Sequence, residues 1–113
     1  MQPFIDYETI SIAANDVSSW QTFFLPNSLR DSHIIMVTNE GPNWAYVQGF
    51  LLANGVQPAM LPNPSSVAGT PIPPNGYPVF LLKNQTAAGV DSFSAITRSG
   101  TAQVNFTSGN FKY

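Results

Sequence analysis

The sequence predicts an all-β domain: an antiparallel β-sandwich, jelly-roll-like, of about eight strands. Three observations lead there. Apolar segments of strand length recur about every ten to thirteen residues, the spacing of sandwich and barrel strands. Clusters of Asn, Gly and Pro separate them and carry turn chemistry. No long segment shows helical periodicity. A closed barrel is the second choice of architecture.

The elements follow in order. Residues 1–6 read as a short N-terminal arm, with Pro3 and Phe4 free to dock on a neighbour. Residues 7–13 alternate, Ile10 and Ile12 against Thr9 and Ser11, as a half-buried strand does. Asn15-Asp16 turns the chain. Residues 18–25, SSWQTFFL, form the next strand, with Trp20 and Phe24 on one face, and Pro26-Asn27 ends it. Residues 28–32 form a loop or one helical turn. The run 33–50, HIIMVTNEGPNWAYVQGF, reads as strand, turn and strand, a central hairpin around which the rest is organised. Ile34, Ile35, Met36 and Val37 are apolar without a gap, the pattern of a strand buried on both faces. The return strand sends Trp44, Tyr46 and Gln48 one way and Ala45, Val47 and Gly49 the other.

Asn54-Gly55 is a strong hairpin signal within residues 51–57, with Met60 and Leu61 in the strand after it. Residues 62–66 are a loop. Residues 67–72 form a weak strand whose Gly69 and Pro71 favour a sheet edge. Residues 73–76, PPNG, turn into the apolar strand 77–83, with Pro78 near its start. Residues 84–89 are a loop, and 91–97 a mixed strand with Phe93 and Ala95 on one face and Ile96 on the other. After Ser99-Gly100, residues 101–107 alternate cleanly: Ala102, Val104 and Phe106 are apolar between polar neighbours. Residues 110–113 read as a docking tail or the end of the last strand.

At 113 residues the chain is expected to be one domain, 1–113, with short terminal arms. Charged residues make up only 9%, against about 25% in an average domain. Such a surface repels itself weakly and favours association. The cations Arg30, Lys83, Arg98 and Lys112 are scattered, so no basic run lines up against phosphates and nucleic acid is not an expected partner. With no cysteine, disulfides, thiol catalysis and cysteine-ligated zinc are excluded. The first residues lack a basic start and an apolar run, and no stretch is long enough to cross a bilayer as a helix, so synthesis in a cytosol and no membrane partner are expected.

Catalytic patterns are not visible. His33 is the sole histidine; Asp31 is near it, but no nucleophile motif accompanies them, and a histidine at a strand entry is the simpler reading. Further ligands at metal-binding spacing are lacking. Of Asp6, Glu8, Asp16, Asp31, Glu40 and Asp91, nothing singles out a glycosidase pair. Gly41, Gly49 and Gly55 open no phosphate-binding helix. The expectation is a protein that is not an enzyme and carries no cofactor or metal. Asn84 and Asn105 each start a glycosylation-type triplet, weak without a secretory signal. The aromatic residues Trp20, Phe23, Phe24, Trp44 and Tyr46 cluster in two segments. Core filling is the commoner role of any one of them; an exposed pair would stack on sugar rings or anchor a protein interface. Trp44, directly after a turn, is the best candidate for exposure.

Three phrases, VTNEGPNWAYVQG (37–49), TPIPPNGYPVFL (70–81) and AITRSGTAQVNFTSG (95–109), resemble small virion structural proteins of tailed bacteriophages. The likeness lies in short β segments, Asn/Gly/Pro turns, few charges and no cysteine. It implies a non-enzymatic virion part made in the host cytoplasm: a capsid decoration, cement or head-fibre component. The implied partners are the major capsid protein or another virion protein, and copies of the chain itself, with a trimer favoured. Interface candidates are Phe4, Ile5, Trp44, Phe111 and Tyr113. The alternative function is a lectin-like carbohydrate-binding module using surface aromatics.

Overall fold

The computed structural model describes residues 4–22, 34–61, 69–82 and 92–111. Eight strands are present: β1 (Phe4–Ala14), β2 (Ser19–Thr22), β3 (Ile34–Asn39), β4 (Ala45–Phe50), β5 (Thr70–Ile72), β6 (Val79–Leu82), β7 (Ser92–Thr97) and β8 (Ala102–Phe111). Among the described residues the only helical element is a single 3-10 turn, Leu52–Asn54.

The strands form two four-stranded sheets, β1-β8-β3-β6 and β2-β7-β4-β5. All pairs are antiparallel. The first strand pairs with the eighth, the second with the seventh, the third with the sixth and the fourth with the fifth. These four pairs are one long folded ribbon, and successive pairs go to opposite sheets. That is the eight-stranded jelly roll, so the expected fold class is the observed one, and two open sheets replace the alternative of a closed barrel.

Alternation along the strands sets the core. Ile10, Ile12 and Ala14 of β1, Ile35 and Val37 of β3, Ala45 and Val47 of β4 and Ala102, Val104 and Phe106 of β8 all face inward and are buried. Phe93 and Phe106 stack across the middle of the sandwich, ring centroids 4.6 Å apart, and join the two sheets. Edge positions are managed: β1 carries a register shift between Asp6 and Glu8, and β5 contains Pro71.

Several expectations need correction. Residues 33–50 do not form a hairpin. β3 is hydrogen-bonded to β8 on one side and β6 on the other, which leaves no free edge for β4. The chain therefore crosses between sheets and β4 pairs with β7 and β5. β3 is central, but Ile34, Met36 and Thr38 are only half-buried on its outward face. The strand buried on both faces is β7. Its outward Ser92 and Ser94 are also fully buried: Ser92 bonds Thr22 Oγ1 of β2, and Ser94 bonds into residues 51–61, which run across this face. There Asn54-Gly55 closes the 3-10 turn instead of a hairpin, and Met60 and Leu61 belong to no strand.

This strap is fastened by side chains. Ser94 Oγ donates to the Gln57 carbonyl at 2.8 Å, and Gln48 Nε2 donates to Gln57 Oε1 at 3.0 Å. The Ala59 N–H donates to Ser18 Oγ at 3.0 Å. Phe50 is buried on the same outward face, edge-on to Trp20 at 6.1 Å. At the ends of the chain, Phe4–Asp6 and Phe111 are not loose arms: Phe4 pairs with Phe111 and Ile5 with Asn110 as continuations of β1 and β8. An edge strand beside a long central one gains backbone hydrogen bonds by extending along it. Phe24, His33, Asp31 and Tyr113 lie outside the described residues.

Candidate functional site

Four connections, residues 15–18, 40–44, 73–78 and 98–101, meet at one end of the sandwich, and hydrogen bonds knit them together. The organiser is Asn39, the last residue of β3, whose side chain points inward and is fully buried. Its Nδ2 donates to the Asn43 carbonyl at 2.6 Å and the Ile72 carbonyl at 3.4 Å. Its Oδ1 accepts from the Gly41 N–H at 2.9 Å. Its backbone carbonyl accepts from the Gly76 N–H at 2.8 Å. One asparagine thus satisfies backbone groups on three segments, and among the described residues no buried side-chain N or O lacks a partner.

The other turns are tied in turn. Asn43 Nδ2 donates to the Thr101 carbonyl at 3.0 Å, and Thr97 Oγ1 donates to the Gly100 carbonyl at 2.8 Å. The Thr97 N–H donates to the Asn15 carbonyl at 2.8 Å, while Asn15 Oδ1 accepts from the Val17 N–H, closing an Asx turn. Asn75 and Gly76 both have positive φ, 73° and 76°, the conformation an Asn-Gly pair adopts most readily.

Trp44 stands on this framework. Asn43 before it and Ala45 after it are held, yet 51% of Trp44 is exposed. Its ring lines an open groove of about 310 Å³ with Tyr46, Arg98, Pro42, Asn43 and Ser99. The β4–β7 register, Ala45 against Thr97 and Tyr46 against Ile96, brings Arg98 beside these aromatics. The guanidinium lies over the Tyr46 ring, 6.0 Å from its centroid. A groove of similar size beside Gly41 is lined by Ala13, Ala14, Asn15, Thr101, Ala102 and Gln103 and holds no charged group.

The five interface candidates separate. Trp44 is at the turn end. Phe4, Ile5 and Phe111 are brought together by strand register, about 30 Å away along the length of β1. Tyr113 lies outside the described residues. Arg98 was not legible as a site residue, because a lone cation after a strand gives no signal until the register is known. Val17 and Tyr77, each 69% exposed, were likewise not legible: Val17 is a single apolar residue in a turn, and Tyr77 reads as the start of the strand 77–83, which begins at Val79. Among the described residues no group of His, Asp or Glu could hold a metal ion.

No family model matches the chain, and neither the curated proteins nor the solved structures contain a match to it.

Proposed function

We propose that this chain is a non-enzymatic structural protein of a tailed-phage virion, a capsid decoration, cement or head-fibre component that stabilises the particle through protein–protein contacts. The observation that carries the reading is a jelly roll with few charges and large apolar side chains left exposed. Val17, Trp44, Met60 and Tyr77 are each more than half exposed, on a chain with only 9% charged residues. A surface of this kind is suited to being covered. Jelly rolls serve in viral capsid and lectin domains alike, so the fold supports the reading by analogy alone.

The candidate particle contacts are the terminal residues Phe4, Ile5, Phe111 and Tyr113, of which Phe4 and Phe111 are paired across β1 and β8. Repeated copies on a lattice supply avidity, so each contact can be weak. A closed ring, with a trimer favoured, is the matching assembly.

The test uses phage particles made from a genome that encodes the chain, with its reading frame deleted. Purified chain added back is expected to bind saturably and to raise the temperature at which the particles open. Phe4→Ala with Phe111→Ala is expected to lower occupancy while the folded β spectrum is kept. Undeleted particles that do not contain the chain, together with deletion particles that do not bind it, would overturn the reading.

A further inference from the structure

We propose that the groove between Trp44 and Arg98 is a saccharide-binding site, taking a pyranose ring of an oligosaccharide with the C–H face of the sugar on Trp44. The proposal does not rest on the virion reading, although Trp44 is one of the four exposed side chains that reading cites; it concerns the end of the molecule away from Phe4 and Phe111.

The two tryptophans separate a packed ring from a presented one. Trp20 is 43% exposed but meets Phe50 edge-on, so the fold uses its ring. Trp44 is more exposed, and the structure shows it lining an open groove. Its backbone is clamped on the N-terminal side by the Asn39–Asn43 and Asn43–Thr101 hydrogen bonds and on the other by β4 pairing. A ring on a rigid mount loses little freedom when a ligand stacks on it, which lowers the cost of binding.

The surroundings choose among ligands. A pyranose has an apolar C–H face and a rim of hydroxyls. The groove's lining combines both kinds of group, the aromatic Trp44 and Tyr46 and the polar Asn43, Arg98 and Ser99. The Arg98 guanidinium lies 6.0 Å from the Tyr46 ring centroid, within reach of a cation–π contact. A nucleobase would also stack, but the nucleic-acid backbone needs several cations, and the whole chain has four, dispersed in sequence. A stable protein interface covers about 800 Å² per side, so it would extend well beyond this groove. At about 310 Å³ it lies near the lower limit for small-ligand sites, the scale of one or two sugar rings.

The test titrates the full chain with soluble hexasaccharides of glucose, N-acetylglucosamine and galacturonic acid, read by amide NMR shifts and tryptophan fluorescence. At least one is expected to shift residues 42–46 and 98–99. Trp44→Ala should weaken that binding about tenfold or more, as loss of a central aromatic anchor does. Trp44→Phe should retain part of it, and Trp20→Ala should leave it unchanged. Absence of binding by all three at about 10 mM, above the millimolar range of weak specific complexes, would overturn the proposal. So would binding that survives Trp44→Ala, or shifts that map onto Trp20 and the strap.

Discussion

The turn end and the strap are both irregular backbone held by polar side chains, yet they are built differently. At the turn end the fastening residue, Asn39, is fully buried, and through its side chain and its backbone carbonyl it serves three segments at once. Over the β2-β7-β4-β5 sheet the strap lies on the outside, and its bonds are distributed among Ser94, Gln48 and Ser18. Only Ala59 of residues 52–60 is buried. A bond inside low-dielectric surroundings is costly to lose, because its partners are left unpaired away from water. The strap's Gln48–Gln57 bond is exposed and water can replace it. With all of residues 52–60 but Ala59 exposed, the strap is expected to open locally before the turn end does.

Breaking the turn end should give the largest effect. Asn39→Ala strands the Gly41 N–H and the Asn43 and Ile72 carbonyls and opens a cavity, so a loss of about 3 kcal/mol is expected. Chemical denaturation checks it; a loss below about 1 kcal/mol would remove Asn39 from its organising place. Gly41→Ala comes next. An added Cβ would sit 2.6 Å from Ala102 Cα, and backbone cannot step aside, so about 2 kcal/mol of overpacking is expected from the same measurement.

The strap should yield less. Ser94→Ala removes the donor to Gln57 and leaves that carbonyl near the sheet, for about 1 kcal/mol. Hydrogen exchange of residues 52–60 should accelerate while residues 40–44 stay protected. Equal acceleration in both regions would merge what the comparison separates. Gln57→Ala is the mildest, within about 0.5 kcal/mol, because its amide is exposed and water takes its place. A larger effect would mean the strap is stapled as firmly as the turns.

The strands themselves were legible because burial alternates with a period of two, and Ala102, Val104 and Phe106 show it without ambiguity. Pro71 and Gly69 marked an edge strand, and β5 is one. The local signals that failed were those that depend on what packs nearby. Asn54-Gly55 fits a hairpin equally well in isolation, but here it ends a 3-10 turn in a strap across another sheet. Ile34 to Val37 looked buried on both faces because all four are apolar, yet the strand buried on both faces is β7, which reads only as mixed. A serine whose hydroxyl finds a backbone carbonyl or a neighbouring hydroxyl is as easily covered as an apolar group.

For the candidate groove, the sequence alone determined that Trp44 follows a turn and starts a strand, and that its side chain alternates away from Ala45 and Val47. The all-β class came from the same local rule, which acts between a residue and its immediate neighbours. Tertiary structure decided the pairing: β3 with β8 and β6, β4 with β7 and β5, and hence Arg98 beside Tyr46. The reason is that hydrogen-bonded strand edges are chemically alike, so local pattern says which residues face inward but not which strand lies alongside. That choice is made by the whole sandwich, through the Phe93–Phe106 contact at its centre and the Asn39 bonds at its end.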